Sequence, residues 1–409
     1  HGFGICASPV NVFTNEGLPD YWIGDIPVKS KYPELKVTQP RIYFGEETLG
    51  QVYVNTKHQE FDYPEGDSNK TNHYDGPAGV VLDSFFKKLA IAKRFEGFRL
   101  LMANEITSQS RILFYRDIRT RVEELMPFLS LDNDPYQVVA DGQIWFMWDA
   151  YTTSDQYPYS EPNGNLNYVR NSVKVVINAY TGSVDFYVFD EEPIIKAYMR
   201  IFPRMFKSSS SMPKSLRIHV RYPEDLLKVQ GEIYSLYHMD DPNVFYNKED
   251  AWQIANESLK QDEVQEVTPY FVIMRIPGEK KEEFVQMLPF SPLTTDEEKP
   301  RNNMTGWLAG RCDGEDYGKL VCYTFPKGRL VDGPLQIASR INQHEVISKD
   351  FSLWNQQGSK VITGNLLVIP LSGNRLIYVQ PIYLKSTVSQ MPELKRVVIA
   401  SAEQLAYGT

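Results

Sequence analysis

Val138-Val139-Ala140-Asp141-Gly142-Gln143-Ile144-Trp145-Phe146-Met147-Trp148 reads as a strand, a two-residue turn and a second strand. Asp-Gly is the pair that a tight hairpin turn accepts with positive φ at both positions. The branched and aromatic residues on either side suit a pleated, half-buried surface. The second strand runs on into Asp149-Ala150-Tyr151-Thr152-Thr153. Further along, Val173-Lys174-Val175-Val176-Ile177 ends in Asn178-Ala179-Tyr180-Thr181-Gly182, and residues 183–189 make a return strand. The two endings are near-copies. They predict that both strands lie in one antiparallel sheet, or in equivalent places of two related units.

Working outward, residues 1–36 carry Pro and Gly at short intervals and read as an extended connector. Residues 41–44 and 52–56 read as short strands, and 62–76 as a polar loop. Val80, Val81, Leu82, Phe85, Phe86, Leu89 and Ala90 recur at helical spacing. Residues 98–104 and 117–128 predict two more helices, and 191–206 a helix interrupted by Pro203. Residues 208–211 read as a flexible break, and His219 as a strand residue. Pro223, with Glu224 and Asp225 behind it, opens a helix, and Asn247 with Asp250 gives another start signal. From Thr268 the chain turns to strands: 270–276, 284–288, 306–311 and 319–325. Residues 334–356 predict two helices, and 365–371 with 375–384 a hairpin joined by Ser372-Gly373-Asn374. The expectation is an α+β fold with mixed and antiparallel sheets, several helices and a β-rich C-terminal third. Residues 37–78 and 266–409 would form one β-rich body, with 79–265 an α/β region.

The 409 residues suffice for two or three domains. A net charge of −9 offers no basic stripe for nucleic acid and disfavours anionic lipid. No apolar run nears the ~20 residues that span a bilayer, and no signal peptide stands at the start. Composition alone would place the chain in the cytoplasm. The 25 tyrosines suit half-buried strands, where the ring packs and the hydroxyl stays wet. Three cysteines are too few for a disulfide scaffold. With a turn centred on Glu315-Asp316, Cys312 faces Lys319 and Cys322 faces Ala309, and the thiols miss each other. Another register would bridge them. Cys6 stays free in either case.

Asn302-Asn303-Met304-Thr305-Gly306-Trp307, Gly310-Arg311-Cys312-Asp313 and Tyr323-Thr324-Phe325-Pro326-Lys327 follow one another. Gln336-Ile337-Ala338-Ser339-Arg340-Ile341, Leu353-Trp354-Asn355-Gln356 and Gly364-Asn365-Leu366-Leu367-Val368-Ile369-Pro370 come next. Earlier blocks include Gln39-Pro40-Arg41-Ile42-Tyr43-Phe44-Gly45-Glu46 and Arg221-Tyr222-Pro223-Glu224-Asp225-Leu226. This succession resembles uncharacterised protein family UPF0182, a group of bacterial polytopic membrane proteins. The resemblance implies a soluble extracytoplasmic part, excised from behind several membrane helices, at the cell membrane. It implies as partners the protein's own membrane-helix bundle and an envelope protein or cell-wall ligand. The strand, (Asp/Asn)-Ala-Tyr-Thr, turn, strand pattern with a following helix also resembles PepSY-type units of secreted regulatory modules.

Catalytic signatures are missing from the sequence: there is no phosphate cradle, zinc helix or nucleophile elbow. Six histidines are scattered without metal-ligand spacing. Asp313-Gly314-Glu315-Asp316 lacks the spacing of a calcium loop, so neither metal nor cofactor is expected. Asp149 with Tyr151, Tyr157 and Tyr159 is the candidate binding surface, set against a plain tyrosine-rich loop over a sheet edge. The expected function is a non-catalytic ligand- or protein-binding module of the cell envelope. The alternative is an envelope hydrolase acting on glycan or peptide.

Overall fold

A computed structural model of the protein describes residues 1–95, 97–260, 263–294, 301–356, 358–371, 375–386 and 392–408. The fold is α+β, with mixed and antiparallel sheets and a strand-rich C-terminal part. Two compact units form, one from 1–9 with 21–219 and one from 10–20 with 220–409. The expected body joining 37–78 to 266–409 does not form. Arg41–Ile42 pairs with Gly2–Phe3, and Val52–Val54 with Arg111–Leu113, inside the first unit. An aromatic cluster of Tyr43, Phe44, Tyr74 and Tyr180 fixes that choice, and nothing in a strand's own periodicity names its partner.

In the first unit, Gln143–Ser154 and Tyr168–Asn178 lie antiparallel at the centre of a six-stranded sheet. Tyr136–Ala140 closes the hairpin, with Asp141 at φ 52° and Gly142 at φ 73° as the Asp-Gly turn demands. One face carries Phe146, Trp148, Val173, Val175, Ile177 and Phe186, packed on Ile118 and Val122 of the helix Ile118–Leu125 and on Ile195 of Pro193–Ile201. The two strands share a sheet as expected, yet their endings differ. Tyr151 sits inside its strand, while Tyr180 lies in the turn after Asn178, whose Oδ1 accepts from the Tyr180 and Thr181 amides. The repeat therefore does not extend to equivalent structure.

Residues 62–76 are not a loop throughout, because Glu60–Glu65 and Ser68–Asn72 form a hairpin around Gly66 at φ 59°. Ser68–Asn72 is polar and mostly exposed, so no apolar alternation marked it, and Pro64 and Gly66 gave the first strand the look of a loop. Val80–Val81 is a strand, and the helix begins later, at Phe85–Arg94, where the Ser84 hydroxyl accepts from Lys87 N at 3.3 Å. Residues 98–104 supply only a 3-10 turn, Phe98–Met102. Another 3-10 turn, Ser209–Ser211, capped by Ser208, stands where a flexible break was expected. His219 follows the short helix Lys214–Arg217 in a turn, not a strand, and burial lowers its pKa although its ring donates to the Val139 carbonyl, which opposes the shift.

In the second unit a five-stranded sheet is built on Glu283–Pro292 and Gly306–Arg311, and another on Arg375–Ser386 and Glu393–Ala400. One core joins both sheets to the helices Pro334–Gln343 and Glu345–Trp354 through Trp307, Ile337, Ile341, Ile347, Tyr378 and Val398. The other face of the first sheet receives Glu224–Tyr237, where Leu227 packs near Leu288 and Phe290. A Cβ on Gly231 would stand 2.5 Å from Leu288 Cδ2, so the glycine lets helix and sheet approach closely. Asn247 ends the helix Pro242–Asn247 rather than starting one, because Lys248 adopts φ 55°. Leu308 opposes Cys322, one residue away from the expected register, and Cys6, Cys312 and Cys322 are all free thiols. Leu367–Leu371 pairs with Arg375–Ser386 as expected, and the 372–374 connection lies outside the described residues. Among the described residues no helix is long and apolar enough to cross a membrane.

Candidate functional site

Helix Pro334–Gln343 places Ala338 and Asn342 on one face, four residues apart. Helix Glu345–Trp354 does the same for Phe351 and the capping residue Asn355. Strand Ser359–Thr363 pairs antiparallel with Arg375–Ser386 and sets Lys360 directly opposite Lys385. These residues, with Ser258, Thr363, Asn365 and Gln380, enclose a cleft of about 800 Å³. Among the described residues, four carboxamides and two ammonium groups line it, and neither aspartate nor glutamate does.

The walls are held from behind. Asn355 Oδ1 accepts from Val361 N at 2.9 Å, which turns its amide nitrogen toward other partners. Buried Gln380 donates through Nε2 to Gly364 O at 3.2 Å. Gly364 itself packs so closely that a Cβ would meet Pro381 Cγ at 2.6 Å. Like charges directly opposite on a sheet repel each other. Among the described residues, neither Lys360 nor Lys385 has a carboxylate partner. The cleft is thus a pre-formed positive spot in a chain whose net charge is −9. Glu257 neighbours Ser258, but successive strand side chains point to opposite faces, so it turns into the protein. Burial raises its pKa, and bonds from Gln265 and Thr268 only partly oppose that.

The candidate surface drawn from the sequence does not assemble. Asp149 is 2% exposed and is paired with the Lys174 ammonium, with Asn171 Nδ2 donating to its Oδ1 at 2.8 Å. Tyr151 is buried and its hydroxyl donates to Asp132. Tyr157 and Tyr159 lie apart from them on an exposed loop. There Tyr157 stacks on Tyr168 with ring centres 4.9 Å apart, and Tyr159 stands fully open at φ 59°. The first two residues hold the sheet together, and the last two stay accessible.

A second cleft, of about 720 Å³, takes up the Asn303-Met304-Thr305 and Thr324-Phe325-Pro326-Lys327 blocks. In it the His238 ring stacks on Trp252 at 3.6 Å, and Lys327 pairs with Asp250 at 3.0 Å. Of the larger cleft's residues, Asn355 and Asn365 lay within quoted motifs. Asn342 was findable from its helical spacing to Ala338. The lysine pair was not, because its meaning depends on a strand register that no local pattern states.

Comparison with known proteins gives one family. The model of the uncharacterised protein family UPF0182 matches residues 1–354. A UPF0182 protein of Desulforamulus reducens is 51% identical over 99% of this chain and 43% of its own length. One from Pelotomaculum thermopropionicum is 49% identical over 99% of this chain and 44% of its own length. Another, from Methanospirillum hungatei, is 44% identical over 99% of this chain and 45% of its own length. The chain thus spans less than half the length of the curated relatives it matches. No solved structure matches it.

Proposed function

We propose, from the premise that this chain belongs to the UPF0182 family, that it is a non-catalytic ligand-binding module of the cell envelope. In this reading it is the extracytoplasmic portion of a longer membrane protein and works with that protein's own helix bundle. Its ligand is an anionic, hydroxyl- and amide-rich molecule of the cell-wall glycopeptide class. The carrying observation is Lys360 directly opposite Lys385 in a cleft whose described lining holds carboxamides and no carboxylate. A bound carboxylate would relieve the repulsion and gain charge-assisted hydrogen bonds. Asn and Gln side chains would donate to and accept from hydroxyls and peptide groups.

The hydrolase alternative draws on Glu257, whose raised pKa suits a general acid. Glycoside hydrolysis asks for a pair of carboxylates ~5 to ~10 Å apart, and the described residues that line the cleft supply none. The test is to titrate the chain calorimetrically with peptidoglycan fragments and follow the mixture by mass spectrometry. The proposal expects saturable binding, weakened about tenfold by Lys360→Ala, with the fragments recovered intact. Turnover lost in Glu257→Gln would establish the hydrolase instead.

A further inference from the structure

Residues 83–102 run against the charge of the chain. They hold Lys87, Lys88, Lys93, Arg94 and Arg99 against Asp83 and Glu96, within a protein of net charge −9. The helix Phe85–Arg94 buries Ala92 and packs Ile91 and Phe95 inward against Ile112 and Leu100. Its outward arc is not polar. Phe85 is 62% exposed, Phe86 79% and Leu89 37%, and the following 3-10 turn adds Phe98 at 57% and Met102 at 80%. The turn packs beside the helix. Phe85 and Phe86 touch edge to face with ring centres 6.1 Å apart. Among the described residues Lys87 is paired with Asp83 at 2.9 Å and Arg94 donates to the Tyr115 hydroxyl at 3.1 Å, while Lys88, Lys93 and Arg99 have no carboxylate partner.

Clustered exposed apolar side chains of this size mark an interaction surface. Three kinds of occupant are conceivable, and the charges and shape choose between them. A second copy in a two-fold contact would set these cations against their own counterparts. A protein partner would need pockets for side chains that protrude this far. A lipid interface needs no complementary shape, since rings and a flexible thioether can enter the acyl boundary individually. Lys and Arg beside Phe and Leu on one short helix are the composition of an interfacial helix. The overall negative charge does not prevent contact, because salt screens distant charges beyond ~8 Å, and the lipid headgroups meet the local cations first.

We propose that the outward face of Phe85–Arg94 and Phe98–Met102 docks on the surface of an anionic phospholipid bilayer. The assignment is independent of the ligand cleft, which lies in the other unit. The experiment is flotation of the 409-residue chain with vesicles of phosphatidylcholine alone and with rising fractions of phosphatidylglycerol. Binding should rise with phosphatidylglycerol and fall with salt. The triple variant Phe85→Ser, Phe86→Ser, Met102→Ser should lower partition about tenfold or more. Lys93→Glu with Arg99→Glu should do so about tenfold on anionic vesicles only. All five positions are exposed, so circular dichroism melting should match the parent chain. Failure to float with anionic vesicles would overturn the proposal, as would binding unchanged by both variants. A dimer seen by sedimentation and lost in the triple variant would reassign the face to a second copy.

Discussion

Two pairs of charged side chains, one in each unit, show how the same chemistry takes opposite roles. In the first unit Lys174 meets Asp149 across paired strands, both almost fully buried, with Asn171 completing the carboxylate's bonds. In the second, Lys360 meets Lys385 at the same kind of cross-strand position, open to a cleft and, among the described residues, with no carboxylate to balance them. A buried opposite pair has already satisfied itself and is a structural element. An open like pair weakens its own sheet slightly and gains most from a ligand. Substitution should therefore move stability in opposite directions at the two places.

The largest effect belongs to the buried pair. Lys174→Met should destabilise the first unit by about 3–5 kcal/mol, because it strands a charge in the interior. Adding Asp149→Leu should restore most of that loss, since the two together remove the unpaired group. Urea unfolding followed by tryptophan fluorescence measures both. A double variant no better than the single would remove the distinction drawn between the pairs.

Of intermediate size is Glu192, which caps the helix Pro193–Ile201 by accepting from Ile194 N at 2.7 Å and Ile195 N at 2.6 Å. Burial pushes its carboxyl upward, but these bonds, with those from Thr152 and Tyr168, outweigh it and hold the pKa below the ordinary carboxylate range. A depressed folded pKa contributes stability above the unfolded value, and that stability is lost as pH falls through the folded value. Glu192→Gln should cost about 1–2 kcal/mol at neutral pH. It should also flatten the acid limb of urea midpoint against pH below about 4.3. An unchanged limb would show that Glu192 is not the group titrating there. Tyr168, whose hydroxyl Glu192 accepts at 2.9 Å, is pushed up to about 12 by burial and that carboxylate, so it stays a donor throughout.

The smallest effect carries the sharpest sign. Lys360→Ala should leave the second unit unchanged or more stable, by about 0.2–1 kcal/mol, by relieving the like-charge pair. A loss of more than that would mean the lysine already has a structural partner.

Much of the fold was readable because local chemistry was consistent. Asp141-Gly142 could only be a tight turn, and the two helices in 334–356 showed their apolar periodicity. The hairpin of Glu60–Glu65 and Ser68–Asn72 hid because its second strand is wholly polar and Pro64 and Gly66 mark a loop, while the contacts that fix it, Asp62 with Arg41 and Tyr63 with Phe3, come from distant positions. Asp149 and Tyr151 were read as a surface because alternation tells which residues share a face, not whether that face is covered. Here Lys174 and Asn171 close on the Asp149 carboxylate, and Asp132 accepts from the Tyr151 hydroxyl. The lysine pair needed a register between strands that are separate in sequence. Unit membership of 37–78 was hidden for a similar reason, since it follows from aromatic contacts between Tyr43, Tyr74 and Tyr180.

The most direct measurement compares one peptidoglycan-derived peptide as free acid and as amide, titrated against the parent chain and the Lys360→Ala, Lys385→Ala variant. The acid should bind the parent chain about tenfold more tightly or better, and the double variant should bind both forms alike while melting no earlier than the parent. Equal binding of acid and amide by the parent chain, or a double variant that still prefers the acid, would contradict a cleft organised around an unneutralised lysine pair.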